Sequence, residues 1–180
     1  LLWRIDKLVK AAREPAPDAI LTKLSDLGEL PEMGSLQVLM QHMPKVVGPT
    51  QQQALLNLVR RSLDDRYLLA DWKSDQQRLV FSEFGSRIFL QQLPWKERTV
   101  GKPVEDQPDP TYGQFAMKSY EQALKDGKPR FESVDAIVNW ADGRRRLRYR
   151  RLIIPFRREA GSLAVLCGSL QDDRVDLRVG

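Results

Sequence analysis

Apolar positions in the first third of the chain recur at helical spacing. Leu1, Leu2, Ile5, Leu8, Val9 and Ala12 follow a 3.6-residue period, while Arg4, Lys7, Lys10 and Arg13 face away. Pro15 and Pro17 end that helix. Ile20, Leu21, Leu24 and Leu27 predict a second helix, closed by Gly28. Leu36, Leu39, Met40 and Met43 predict a short third, stopped by Pro44. A fourth starts at a Thr50–Gln53 capping box and buries Leu55, Leu58 and Val59.

From Asp65 the period drops to two. Tyr67 to Trp72 and Arg78 to Ser82 read as short strands around the turn KSDQQ. Helical spacing resumes between Gly85 and Leu93 through Ile88 and Phe89. TVGKPVEDQPDP is loop material, rich in proline and acids. Asp109 is placed to cap a longer helix with Pro110 in its first turn, an apolar face of Tyr112, Phe115, Ala116, Ser119 and Ala123, and Gly127 at its end. The last third is β: Phe131 to Trp140 and Arg145 to Phe156 flank Asp142-Gly143, a strong hairpin signal, and Ser162 to Leu170 follow. The chain therefore divides into a helical region, residues 1–64, serving dimerisation or capping, and a mixed domain, residues 65–180.

Composition narrows the class. With 42% hydrophobic and 29% charged residues, 180 residues suit one globular domain with an extension. The apolar runs are too short to span a bilayer, and the first fifteen residues lack the unbroken stretch of a signal peptide, so a cytoplasmic protein is expected. A single cysteine, Cys167, precludes an internal disulfide and any cysteine-based metal site. A single histidine, His42, removes most metal-hydrolase and Ser-His or Cys-His schemes. No carboxylate is paired with a base, and no glycine loop has phosphate-binding spacing, so no catalytic activity is expected. Much of the net charge of +5 comes from GRRRLRYRR, followed by Arg157 and Arg158.

Two strands, a short helix, a loop, a longer helix and three antiparallel strands is the element order of a PAS domain. FSEFGSRI resembles the passage from the second PAS strand into its first helix. TVGKPVED resembles the loop that follows, ALKDGKPRFE the end of the long helix, and NWADGRRRLRYRRLIIPFRREAGSLAVLCGSL the last two strands. The resemblance covers residues 65 to 171. It implies an α+β fold, a five-stranded antiparallel sheet with helices on one face, and a sensory or regulatory role. It implies neither haem nor covalent flavin: the long helix has no histidine, and Cys167 stands in the final strand, outside any flavin-reactive helix motif. No cofactor is expected.

The pocket side of such a domain takes its ligand candidates from Phe115, Tyr120, Val138, Leu147, Tyr149 and Arg151. Aromatics at these spacings also suit plain core. With Asp142-Gly143 as a two-residue turn, Val138 should oppose Leu147, Ala136 Tyr149, and Val134 Arg151, with Asp135 across from Arg150. Alternation then turns Arg151 inward, where it needs a ligand carboxylate, an acidic side chain or a route to solvent. A β-bulge at Arg150-Arg151 would instead turn it out and leave Leu152, Ile154 and Phe156 inward. Arg146, Arg148 and Arg150 share the opposite face. Three readings of that face stay open: a solvated surface partly neutralised by acids, a docking surface for a helix or second subunit, and a nucleic-acid contact. The expected partners are a second copy, contacted through Leu1, Ile5 and Leu8 with Arg146 and Arg148 as further surface, together with a small-molecule ligand and an output protein acting in trans. A nucleic-acid binder and a ligand-free interaction scaffold are the alternatives.

Overall fold

The computed structural model describes residues 20–24, 49–88, 99–140, 143–158 and 161–178. In chain order the elements are β1 (Ile20–Leu24), α1 (Pro49–Ser62), β2 (Tyr67–Lys73), β3 (Arg78–Phe84), α2 (Pro110–Asp126), β4 (Arg130–Trp140), β5 (Gly143–Arg157) and β6 (Leu163–Gln171). The strands form one antiparallel sheet in the order β1-β4-β5-β6-β2-β3. The five strands expected after Asp65 are all present, and the fold class is α+β.

A sixth strand comes from the segment expected to be helical. Ile20–Leu24 pairs along β4, from Ile20 opposite Ala136 to Leu24 opposite Glu132. The same apolar residues satisfy either period over so short a run, and an open sheet edge supplies backbone partners that local spacing does not reveal. α1 begins at Pro49, so Thr50 lies inside its first turn instead of capping it. Residues 85–88 form no helix, and the rest of the helix expected there lies outside the described residues, as do Leu1, Ile5 and Leu8.

Both faces of the sheet are covered. On one, α2 packs Ala116, Met117, Tyr120 and Ala123 against Leu68, Ala70, Phe81, Ile153, Val165 and Cys167. On the other, Leu63, just beyond α1, sits among Tyr67, Leu69, Phe131, Leu152, Ile154 and Leu166. Gly168 makes that fit possible, since a Cβ there would lie 2.4 Å from Leu63 Cδ2. Arg60 of α1 pairs with Glu83 at 2.9 Å, and the Tyr67 hydroxyl donates to the same carboxylate at 2.5 Å.

The β4–β5 register differs from expectation by two residues. Trp140 opposes Gly143, so residues 141 and 142 make the connection, and Gly143 is already strand with φ 130°. Val138, Ala136 and Val134 therefore face Arg145, Leu147 and Tyr149, while Asp135 faces Arg148. A slip of two leaves every side chain on its expected face but changes its partner. The consequence is electrostatic: Arg151 stands opposite Glu132 instead of Val134. β5 pairs with both neighbours without a shift at Arg150-Arg151, so the bulge that would turn Arg151 outward does not form. Leu152, Ile154 and Phe156 are on the outer face, not the inner one, because that face has an apolar cover of its own.

Candidate functional site

α2 is set against the sheet by its own cap. Asp109 Oδ1 accepts the backbone N–H of Tyr112 at 3.0 Å, the cap expected from sequence. Its Oδ2 accepts both the backbone N–H and the side-chain amide of Asn139, at 2.7 and 2.9 Å. One buried carboxylate thereby fixes the start of the helix over the end of β4.

Beneath α2 lies a narrow cavity whose lining includes Leu68, Phe81, Tyr112, Tyr120, Tyr149, Arg151, Gln107 and Ser169. It leaves about 20 Å³ for the centre of a water molecule, on the order of one or two waters. Arg151 dominates it. Only 2% of this residue is exposed, yet its guanidinium is well partnered. Nε donates to Glu132 Oε2 at 2.8 Å, and Nη2 lies 2.7 Å from the same oxygen. Nη2 also donates to Ser119 Oγ on α2 at 2.7 Å. The guanidinium carbon is 4.4 Å from the Phe115 ring centre and 5.8 Å from that of Tyr120. Burial opposes the charge, yet the guanidinium is held above its ordinary value; at neutral pH, where Tyr149 keeps its proton, the charged partner is the Glu132 carboxylate. Arg151 stays a cation inside the domain.

The other reactive side chains are quiet. The Tyr112 and Tyr149 hydroxyls share a hydrogen bond of 2.6 Å. Burial pushes the hydroxyls of Tyr112, Tyr120 and Tyr149 and the thiol of Cys167 up, so all four carry their protons at neutral pH. Such groups position and fill; they are poor bases and nucleophiles. Among the described residues, no group of three His, Cys, Asp or Glu side chains could hold a metal ion.

An antiparallel sheet entered by two strands, left through a loop and a long helix, and completed by three strands is the arrangement implied by the sequence motifs. The domain is PAS-like. No protein-family model and no curated protein matches the sequence. Solved structures similar to this PAS-like chain include the dark form of the Aureochrome1 blue-light photoreceptor LOV domain, at 13% identity and a TM-score of 0.46, covering 66% of this chain and 83% of that one. A light-oxygen-voltage domain studied with a flavin analogue shows 14% identity and a TM-score of 0.44, with 66% and 84% covered. The PAS domain of Bordetella pertussis BvgS shows 18% identity and a TM-score of 0.44, with 68% and 88% covered. The PAS-like description rests on the element order and on the seat of α2 against the sheet.

Of the six ligand candidates, the PAS-like domain brings Tyr120, Tyr149 and Arg151 to the cavity wall and Phe115 onto the Arg151 guanidinium. Val138 and Leu147 join Tyr112, Val134 and Ala136 in an apolar cluster closer to the hairpin and are not among the cavity's lining residues. Glu132 and Ser119 escaped sequence reasoning as partners of Arg151. The register error hid Glu132. Ser119 already stood on the predicted helix face, and a small hydroxyl on an apolar stripe beneath an inward arginine was the available signal.

On the outer face, Arg146 reaches Asp135 through Nε and Nη2 at 2.9 and 2.7 Å and Asp176 at 2.7 Å. Arg148 pairs with Asp173 at 3.5 Å and Arg150 with Asp172 at 3.0 Å. Asp135, Asp172, Asp173 and Asp176 supply counter-charge to these three arginines. No helix among the described residues is long and apolar enough to cross a membrane.

Proposed function

We propose that this chain is a non-catalytic sensory or regulatory module in which a small molecule or a partner biases the packing of α2 against the sheet. One observation carries the proposal. Arg151 belongs to β5, yet its charged end is bonded to Ser119 and stacked on Phe115 and Tyr120, all three on α2. A small polar molecule entering the cavity competes for those contacts and shifts the balance between two seats of the helix. The room available favours a compact ligand of few atoms, not a large planar cofactor. The lining of tyrosine hydroxyls, Gln107 and Ser169 beside an internally neutralised ion pair suits an uncharged molecule carrying hydrogen-bonding groups.

Native mass spectrometry of protein purified from its source tests this. A bound mass lost on denaturation, and absent from Arg151→Met, is the expected result. A bare polypeptide mass, with no compact polar molecule of a screening set altering thermal stability, would replace the sensor by a self-filled interaction scaffold. Pairing of two copies through residues 1–64 is part of the proposal. It is supported by Leu58 on α1, which is 48% exposed, and sedimentation as a monomer at micromolar concentration would remove it.

A further inference from the structure

Alternate residues of β5 place Arg146, Arg148 and Arg150 on the outer face, about 7 Å apart along the strand. The segment 172–178, without helix or strand, continues the course of β6 antiparallel along them. Asp172 meets Arg150, Asp173 meets Arg148, and Asp176 meets Arg146. Two backbone contacts secure the match: the Asp172 N–H donates to Arg148 O at 3.0 Å, and the Leu177 N–H to Asp135 Oδ2 at 3.1 Å. Val175 is its buried apolar anchor.

We propose that this arginine ladder is a docking surface for an acidic peptide segment of a partner protein, and that residues 172–178 occupy it as an intramolecular stand-in. The stand-in shows what the surface takes: a chain that turns at residues 172–175 and so brings one carboxylate to each arginine. The pairs made by Asp173 and Asp176 are open to solvent, with side-chain exposures of 71% and 34% for the two acids, and pairs of that kind hold weakly. The Arg150–Asp172 pair is largely buried. The carboxylate beneath them is fixed. Asp135 is fully buried and grips Arg146 at two points, and the segment adds Arg178 and the Leu177 N–H to the same carboxylate.

Asp135 also decides the class of partner. It accepts the Leu177 N–H, a contact that a peptide backbone can reproduce and a DNA sugar–phosphate backbone, which carries no donor, cannot. A nucleic-acid backbone laid on the ladder would instead bring phosphates against this buried carboxylate.

The test uses the full chain carrying Asp173→Asn and Asp176→Asn, which keeps Asp172 and Val175, and a labelled peptide spanning residues 170–178. Anisotropy should show the substituted chain binding the peptide about tenfold more tightly than the unsubstituted one. Binding should fade toward about 0.3 M salt and with a peptide whose three aspartates are asparagines. Val175→Ala, which loosens the segment without changing charge, should act in the same direction. Failure of both folded variants to bind, equal binding of the acidic and asparagine peptides, or a preference for an oligonucleotide over the peptide would each overturn the proposal.

Discussion

β4 and β5 carry an arginine–carboxylate cluster on each face, and the two differ in nearly everything but composition. On the helix side, Arg151 and Glu132 are directly opposed, each with a side-chain exposure of 2%, and further held by Ser119 and two aromatic rings. On the outer side, Arg146, Arg148 and Arg150 are partly open and reach their acids one or two at a time, mostly on a segment from the chain's far end. Alternation along one strand separates them by a single residue. Burial therefore sets what each cluster can do. The inner pair is costly to break because both members are buried and Arg151 takes its counter-charge from Glu132, whose other oxygen is already held by Arg130 at 3.1 Å. The outer pairs are replaceable because water or another chain can take their place.

The largest expected effect falls on the inner cluster. Glu132→Leu leaves a buried cation without its counter-charge and should destabilise the fold by about 3–5 kcal/mol in denaturant unfolding. The double variant Glu132→Leu/Arg151→Met should recover most of that loss, since an apolar pair of similar volume replaces the ion pair. A double variant no better than the single one would mean that Arg151 does not depend on Glu132.

The hairpin joins the two clusters, so its turn affects both. Gly143→Val should cost on the order of 1 kcal/mol or more, because a β-branched residue resists the positive φ found there. An unchanged melting temperature would place the strain elsewhere.

Acid should distinguish the faces next. Hydrogen bonds from Arg146 hold the Asp135 and Asp176 carboxyls below the usual range, and those from Arg174 do the same for Asp172. A lowered folded value means the contribution is complete above the unfolded value near 4 and drains as pH falls through the folded values. The thermal midpoint should therefore hold through neutrality and drop below about pH 4, less steeply in Asp135→Asn. Equal slopes for the two proteins would take the acid dependence away from the outer face.

The smallest effect belongs to the most exposed pair. Asp173→Asn should change stability by less than about 1 kcal/mol. A loss as large as that of Glu132→Leu would erase the distinction between the faces.

Much of the fold was legible because local chemistry and tertiary structure agree there. Asp109, Pro110 and Gly127 bound α2 as their chemistry dictates, and short apolar runs set off by turn residues marked β2 to β6. β1 was not legible, since the partner that makes Ile20–Leu24 a strand lies more than a hundred residues on. The inner site was half legible: alternation pointed Arg151 inward, but its counter-ion depended on a register that a short turn motif could shift by two. The acids of residues 172–176 were in plain view, yet nothing local says that the chain after β6 continues along β5 and brings them to its arginines.

The central claim is that Arg151 ties α2 to the sheet. Hydrogen exchange on α2, compared between the unsubstituted chain and Ser119→Ala, reads it most directly. Removing the hydroxyl that accepts from Arg151 should speed exchange of the amides from Tyr112 to Ala123 while leaving β4 and β6 protected. Unchanged protection along α2, or a loss spread evenly over helix and sheet, would contradict the account.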